Sequence, residues 1–180
     1  MLGTSNEISN PGLRALPPGG ERYFVKGGGL SVTEIFPEDK IEIINDEGKQ
    51  ISEIIVFDAN GKLNLSILGL KENANADFSK KTIAKDNKIS KIFKKRNLDL
   101  NKAKSSIIFD EDCLMGEKIT ITSKDKCFVL IAAPGDQLNV HEQNPPTDLT
   151  VFINRVKLPE TDDQFILSDN LSAPRVEQII

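Results

Sequence analysis

The sequence holds no tryptophan, a single tyrosine, a single histidine (His141) and two cysteines, Cys113 and Cys127. Each shortage closes off some chemistry. With one imidazole, a metal site of two or three histidines cannot be assembled within one chain, and no metal ligand or cofactor is expected. Two cysteines at this separation make no disulfide framework and read as reduced thiols of a cytoplasmic protein. A Cys–His nucleophile pair would need Cys113 or Cys127 beside His141, with a third group to orient the ring. Cys127 opens an apolar strand, where packing is the simpler account. Cys113 follows Asp110-Glu111-Asp112, an acidic loop that raises a thiol pKa and blunts the nucleophile. Those carboxylates could hold a hard cation, but a cluster of this kind is usually just solvated.

Long apolar runs are missing too, and nothing approaches the roughly 20 residues that cross a bilayer. The first residues, Met1-Leu2-Gly3-Thr4-Ser5-Asn6-Glu7, lack the basic and apolar regions of a secretion signal. The formal net charge of -4 argues against a nucleic-acid backbone or an anionic membrane surface as main partner, since both call for a basic face. The one basic run, Lys94-Lys95-Arg96, reads as a solvated helix end. Gly27-Gly28-Gly29 resembles a phosphate cradle only superficially. A P-loop continues with Lys-Ser/Thr and a helix, whereas an alternating β-branched run follows here.

What is present fits one domain. A chain of 180 residues, 38% hydrophobic and 28% charged, can bury a core without staples. Residues 1–20 are an extended lead-in rich in Gly, Pro, Ser and Asn. Tyr23 and Val25, then Leu30 to Phe36, alternate as strands do. Ile41 to Ile44 and Gln50 to Phe57 are expected to pair as a hairpin over 40–57, with Gly48 supplying the turn's unusual dihedral. Ile89, Ile92 and Phe93 fall at i, i+3 and i+4 and mark a short helix ending at Asn97. Strands return at 106–109, 118–122, 127–132 and 150–156. Residues 158–180 read as a linker or docking arm. The expected fold is mainly β (α+β), a compact sandwich or barrel over residues 21–157 with one short helix.

Two segments carry polar groups where packing alone would not put them. Gln50 and Glu53 enter an otherwise apolar strand, and such groups cost free energy unless paired. They either bond neighbouring loops or face a ligand; a solvated edge is the bland alternative. The second segment is Ala132-Ala133-Pro134-Gly135-Asp136 and then Asn144-Pro145-Pro146-Thr147-Asp148-Leu149. Small residues and a carboxylate at a strand's end let a backbone approach another surface, or simply turn a corner.

On these residues the chain resembles the urea-carboxylase-associated family. Gly48, Gln50 and Glu53 match its early signature, and Pro134, Asp136, Asn144, Pro145, Thr147 and Asp148 its late one, over roughly residues 14–156. The resemblance implies a degenerate member: Ala133 stands where the family's metal-site cysteine would be, no His-Asp pair occurs, and Glu53 replaces an aspartate. Arg22 to Leu30, Val56-Phe57-Asp58 and Gln143 to Leu149 also resemble the first segment of aminomethyltransferase-like proteins related to the glycine-cleavage T protein. Such a domain or protein is then the implied partner.

The expected function is a noncatalytic binding or accessory domain of one-carbon or amine metabolism. Gln50, Glu53 and Asp136 would form its pocket, two carboxylates suiting a small cationic amine. On this reading the chain by itself is more expected not to be an enzyme, and no catalytic residue is assigned. The rivals are a metal-independent hydrolase or deiminase of urea- or guanidine-like substrates, using Cys113 or carboxylates, and a structural or oligomerising module.

Overall fold

The computed structural model describes residues 16–85, 87–135, 146–157 and 176–179, the last by backbone alone. Among them, nine strands form two stacked antiparallel sheets. They are β1 (Gly20–Val25), β2 (Leu30–Ile35), β3 (Lys40–Asn45), β4 (Ser52–Asp58), β5 (Ser106–Phe109), β6 (Glu117–Thr122), β7 (Cys127–Ala132), β8 (Leu149–Asn154) and β9 (Val176–Ile179). The first sheet runs β1-β8-β3-β6 and the second β5-β4-β7-β2-β9. The mainly β reading holds, as a sandwich and not a barrel.

Alternation along the strands decides what fills each layer. Ile41 and Ile43 of β3, Val151 and Ile153 of β8, Ile54 and Val56 of β4, and Val129 and Ile131 of β7 meet between the sheets. The intervening residues of the second sheet point the other way. Leu30, Val32, Ile55, Phe57, Leu130 and Ala132 pack on its outer face against Ile83, Phe93 and Leu98. Ile83 belongs to helix α1 (Asp77–Lys85) and Phe93 to helix α2 (Asn87–Lys95). Phe57 and Phe93 meet edge to face, 6.1 Å between centroids at 82°, a preferred aromatic geometry. Thus β4 and β7 are buried on both faces, which explains their unbroken apolar runs.

The expected helix is α2, and Asn97 ends it with a positive φ of 53°. Helix α1 was not visible in the polar stretch before it. The tail read as a linker or arm supplies β9, which pairs with β2 (Thr33↔Val176, Leu30↔Ile179). One local expectation fails: β3 and β4 are not a hairpin. Strand β3 pairs with β6 and β8, and β4 with β5 and β7, so the chain crosses from one sheet to the other between them. Gly48 (φ 76°) and Lys49 (φ 60°) make that crossing. A Cβ on Gly48 would lie 2.7 Å from the Met115 nitrogen and 2.9 Å from the Cys113 oxygen, so the turn is shaped by the loop it presses on as well as by its own dihedrals.

One end of the sandwich is locked by charge. Arg155, just past β8, donates from Nη1 to Asp39 Oδ2 (2.7 Å) and to the Glu34 carbonyl (2.8 Å). Its Nε and Nη2 donate to the two Glu21 oxygens at 3.1 and 3.0 Å. The Asp39 carboxylate also accepts from the Phe36 and Val156 backbone N–H groups. The side chains of Arg155 and Asp39 are each 1% exposed. Burial would depress the guanidinium pKa, and Glu21 and Asp39 outweigh it and raise it. Removing one partner of such a pair strands the other charge. Arg155→Ala is therefore expected to cost about 3–5 kcal/mol in urea unfolding, whereas a substitution at exposed Lys118 is expected to cost under about 0.5 kcal/mol.

Candidate functional site

The opposite end is closed by an uncharged group. Here the chain crosses between sheets four times: β1 to β2 through Lys26–Gly29, β3 to β4 through residues 46–51, β5 to β6 through residues 110–116, and β7 toward β8. The Gln50 side chain, buried, joins two of these crossings: its own and the one from β7 toward β8. Its Nε2 donates to the carbonyls of Ile51 (2.8 Å) and Pro134 (2.9 Å), and its Oε1 accepts from the Thr147 backbone N–H at 2.7 Å. Pro134 follows β7 in the second sheet and Thr147 precedes β8 in the first, so one amide spans the sandwich. The Gln50 carbonyl accepts from Asn45 Nδ2 at 2.7 Å.

The glycine turn docks on the same junction. Gly27 N–H donates to Asp148 Oδ1 at 3.0 Å, and Lys26 Nζ to Asp148 Oδ2 at 2.8 Å. Gly28 N–H donates to the Ala133 carbonyl at 2.8 Å. A Cβ at Gly27 would collide with the Pro146 carbonyl, so no other residue fits there without moving the chain. Burial alone would raise the Asp148 pKa, but the Lys26 ammonium and the Gly27 N–H lower it.

The early and late sequence motifs therefore meet in space, with Gln50 bonded to Pro134 and Thr147. Asp136, His141, Asn144 and Pro145 lie outside the described residues. Three buried polar atoms around this junction have no hydrogen-bond partner among the described residues: Asn45 Oδ1, Ser52 Oγ and Thr147 Oγ1. The bond from Asn45 Nδ2 to Gln50 fixes its Oδ1 as an acceptor. Buried polar atoms normally find partners, and this cluster gives the junction its polar interior.

Glu53 is buried as expected of a polar group inside a strand, 3% exposed, but it does not join Gln50. It lies opposite Ile107 of β5 and Ala132 of β7, on the outer face with Ile55 and Phe57, beneath the start of α1. The solvated-edge alternative fails for both residues. Desolvation pushes the Glu53 carboxyl pKa above its ordinary value, and the Ser105 hydroxyl and the Ser79 N–H and hydroxyl pull it back only in part.

The thiols are silent. Cys113 and Cys127 are buried and unbridged. Burial first, then the neighbouring Glu117 carboxylate, pushes Cys113 up to about 11, and burial pushes Cys127 to about 11 as well. A hydrolase built on Cys113 would have no thiolate to use. Among its acidic neighbours Glu117 acts most, and Asp110 of the run Asp110-Glu111-Asp112 adds to it. Ala133, at the position of the family's metal cysteine, packs in the core with 0% exposure. Among the described residues no group of three or more His, Cys, Asp or Glu side chains could hold a metal. No helix among them is long and apolar enough to cross a membrane.

Two outcomes follow from this geometry. Gln50→Leu should leave the Pro134 carbonyl and the Thr147 N–H unpaired and lower stability by about 1–3 kcal/mol per stranded group, with amide exchange at Thr147 speeding up more than at Ile43. For Glu53, the folded pKa is raised above 4.5, so the folded chain holds its proton over a window in which the unfolded chain has lost it. Its contribution is complete below that value and is lost as pH rises through the folded pKa. Glu53→Gln should therefore flatten the decline in stability from mildly acidic to neutral pH while leaving the acid-side value near wild type.

No protein-family model matches the chain, so the resemblance to the urea-carboxylase-associated family rests on the residues that suggested it. Among curated proteins, the chain is 32% identical over 171 residues to trimethylamine-oxide aldolase of Ruegeria pomeroyi. The match covers 93% of this chain and 22% of that protein, so the chain spans about a fifth of the relative's length. The similarity corrects the expectation that the chain by itself is not an enzyme: what it matches over nearly its whole length is an enzyme by name. The expectation rested on scarce imidazole and thiol. Catalysis can also run on carboxylates and their hydrogen-bonding partners, which this chain does place in buried positions.

Proposed function

We propose that this chain is a β-sandwich domain of an enzyme acting on a small amine or amine oxide, and that the Gln50 end of the sandwich is the end that meets the ligand. The observation that carries the reading is the similarity to trimethylamine-oxide aldolase over 171 residues. The geometry supports the choice of end. Gln50 ties the residues on either side of 136–145 to the β3–β4 crossing, and Asp148 ties the glycine turn to the same place. Positioning of this kind is what a ligand-binding loop asks of its scaffold.

In this reading Gln50 is a positioning residue, which holds Pro134 and Thr147 at the base of the segment carrying Asp136. Asp136 supplies the carboxylate for the cationic nitrogen of a methylated amine. Glu53 is left out, because its side chain lies on the other face of the second sheet. The relative's length outside the match leaves room for a further domain, and an aminomethyltransferase-like domain or protein is the partner we propose on the resemblance stated above.

Proton NMR of the protein mixed with trimethylamine oxide tests the reading. Loss of the methyl resonance with time, or saturation transfer from protein to those methyl groups, is expected, and Asp136→Asn should weaken either by about tenfold, equivalent to 1.4 kcal/mol. Absence of both turnover and transfer, for trimethylamine oxide and for simpler methylamines, would overturn it.

A further inference from the structure

The underside of α1 holds a second polar place that the reading above does not use. Strand register puts it together. Ile54 lies opposite Ser106, so Ser105, just before β5, shares the outer face of the second sheet with Glu53. Ser105 also bridges to Ala74 through paired backbone bonds, and its Oγ accepts from the Ala76 N–H at 3.1 Å. Ala76 takes a positive φ of 57°, and its carbonyl accepts from Lys80 N–H at 3.0 Å as the helix begins. The first turn of α1, with Asp77 and Ser79, is thereby set over Glu53.

Glu53, Ser79 and Ser105 are 3%, 0% and 0% exposed. Two of their oxygens, Glu53 Oε1 and Ser79 Oγ, make no hydrogen bond of proper geometry among the described residues, although the Ser79 hydroxyl lies near enough to the carboxyl to lower its pKa. No lysine or arginine among those residues contributes to the environment of Glu53; the charged group that does is another carboxylate, Asp77. Left as it is, this is a desolvated acid among hydroxyls with a strained residue at its edge. Such a combination is costly unless something completes it.

We propose that Glu53, Ser79 and Ser105 form a binding site for a small protonated amine, ammonium itself or the NH3+ end of a short primary amine. Three oxygens converge from a strand, a helix and the residue just before β5, and an ammonium group carries N–H donors to match them. The carboxylate supplies the counter-charge. A carboxylate has lone pairs enough to accept from the Ser79 backbone N–H and still offer Oε1 to the ligand. A metal of higher charge is disfavoured, since one carboxylate and two hydroxyls neither balance nor fill its shell. The raised pKa of Glu53 agrees with this, because an acid built to meet a cation is the one that burial drives toward neutrality when the cation is away. The site lies on the opposite face of the second sheet from the Gln50 junction, and its occupant enters by parting the first turn of α1. Ser79 and Ile83 are the buried residues of that helix and Phe78 packs partly buried against the same cluster, so entry requires local opening of that turn.

Thermal unfolding of the chain in ammonium, methylammonium, potassium and tetramethylammonium chlorides, at equal ionic strength and neutral pH, tests this. A ligand that binds the folded state raises the midpoint with concentration. Ammonium and methylammonium should raise it over tetramethylammonium, which has the charge without the N–H donors. The difference should vanish in Glu53→Gln and shrink in Ser79→Ala. Equal midpoints in all four salts, an equal response to potassium, or a difference that survives Glu53→Gln would each overturn the assignment. Should Glu53→Gln fail to fold, titration of the wild type with methylammonium decides by amide NMR. Saturating shifts at Ser79 and Ser105 are required, and their absence overturns the site. No catalysis enters this experiment, so its failure would leave the proposed enzyme function untouched.

Discussion

One primary amide holds one end of this sandwich in register. Gln50 offers two donors and an acceptor from a single planar group, and Ile51, Pro134 and Thr147 take all three roles. The geometry leaves little latitude. Asparagine would fall a methylene short of the far sheet, and glutamate would set a buried negative oxygen against the carbonyl of Pro134, a contact that burial and repulsion both penalise. Because Pro134 and Thr147 belong to different sheets, the same bonds fix how far apart the sheets stand there. The glycine turn then finds its place on Pro146 and Asp148.

The two ends of the domain are closed by different physics. At one, Arg155 and Asp39 form a buried ion pair completed by Glu21 and by backbone donors, and removal of either partner leaves a bare charge in a dry place. At the other, the closing group is neutral, and Asn45 Oδ1, Ser52 Oγ and Thr147 Oγ1 remain without partners among the described residues. Charge pairing with full hydrogen bonding makes a rigid closure. A neutral bridge among under-satisfied polar atoms is held less firmly and has hydrogen-bonding capacity to spare. Loops that must position a ligand gain from the second arrangement and the remainder of the fold from the first.

Much of this was legible in the sequence, for reasons that differ by element. The eight strands up to residue 154 announce themselves through alternation or through doubly buried apolar runs, as in Cys127 to Ala132. Asn97 and Gly48 were readable because positive φ selects for few residues. Pairing was not readable. Residues 40–57 look like a hairpin because two strands flank a glycine turn, yet both strands must bury their inner faces against opposite sheets, and only the whole fold decides that. Helix α1 escaped because Asp77–Lys85 has few apolar side chains to show a period. The Arg155 network left no local trace, since its partners lie 116 and 134 residues away. Gln50 was found because a polar residue entering an apolar strand needs a reason, and Glu53 was found by the same logic. That logic cannot say which face each residue takes, so it joined them into one pocket.

The face is decided by the alternation of β4, whose register with β7 is regular from Glu53 to Asp58. Register against β5 shifts between Ser52 and Glu53, and the extra residue there, Ile108, belongs to β5 and leaves the β4 alternation intact. Ser52 turns inward, toward the junction that Gln50 closes, and Glu53 turns outward, beneath α1. Two polar places thus sit back to back on one strand that is buried on both faces. A displacement of β4 along its length would move both at once, because neither Ser52 nor Glu53 can shift without the other. The strand's apolar residues resist that displacement: Ile54 and Val56 are fixed between the sheets and Ile55 and Phe57 under the helices, each worth roughly 1.5–3 kcal/mol of burial. The polar start of β4 is held in place by its apolar remainder, and that is why two unsatisfied groups can persist there without unravelling the sheet.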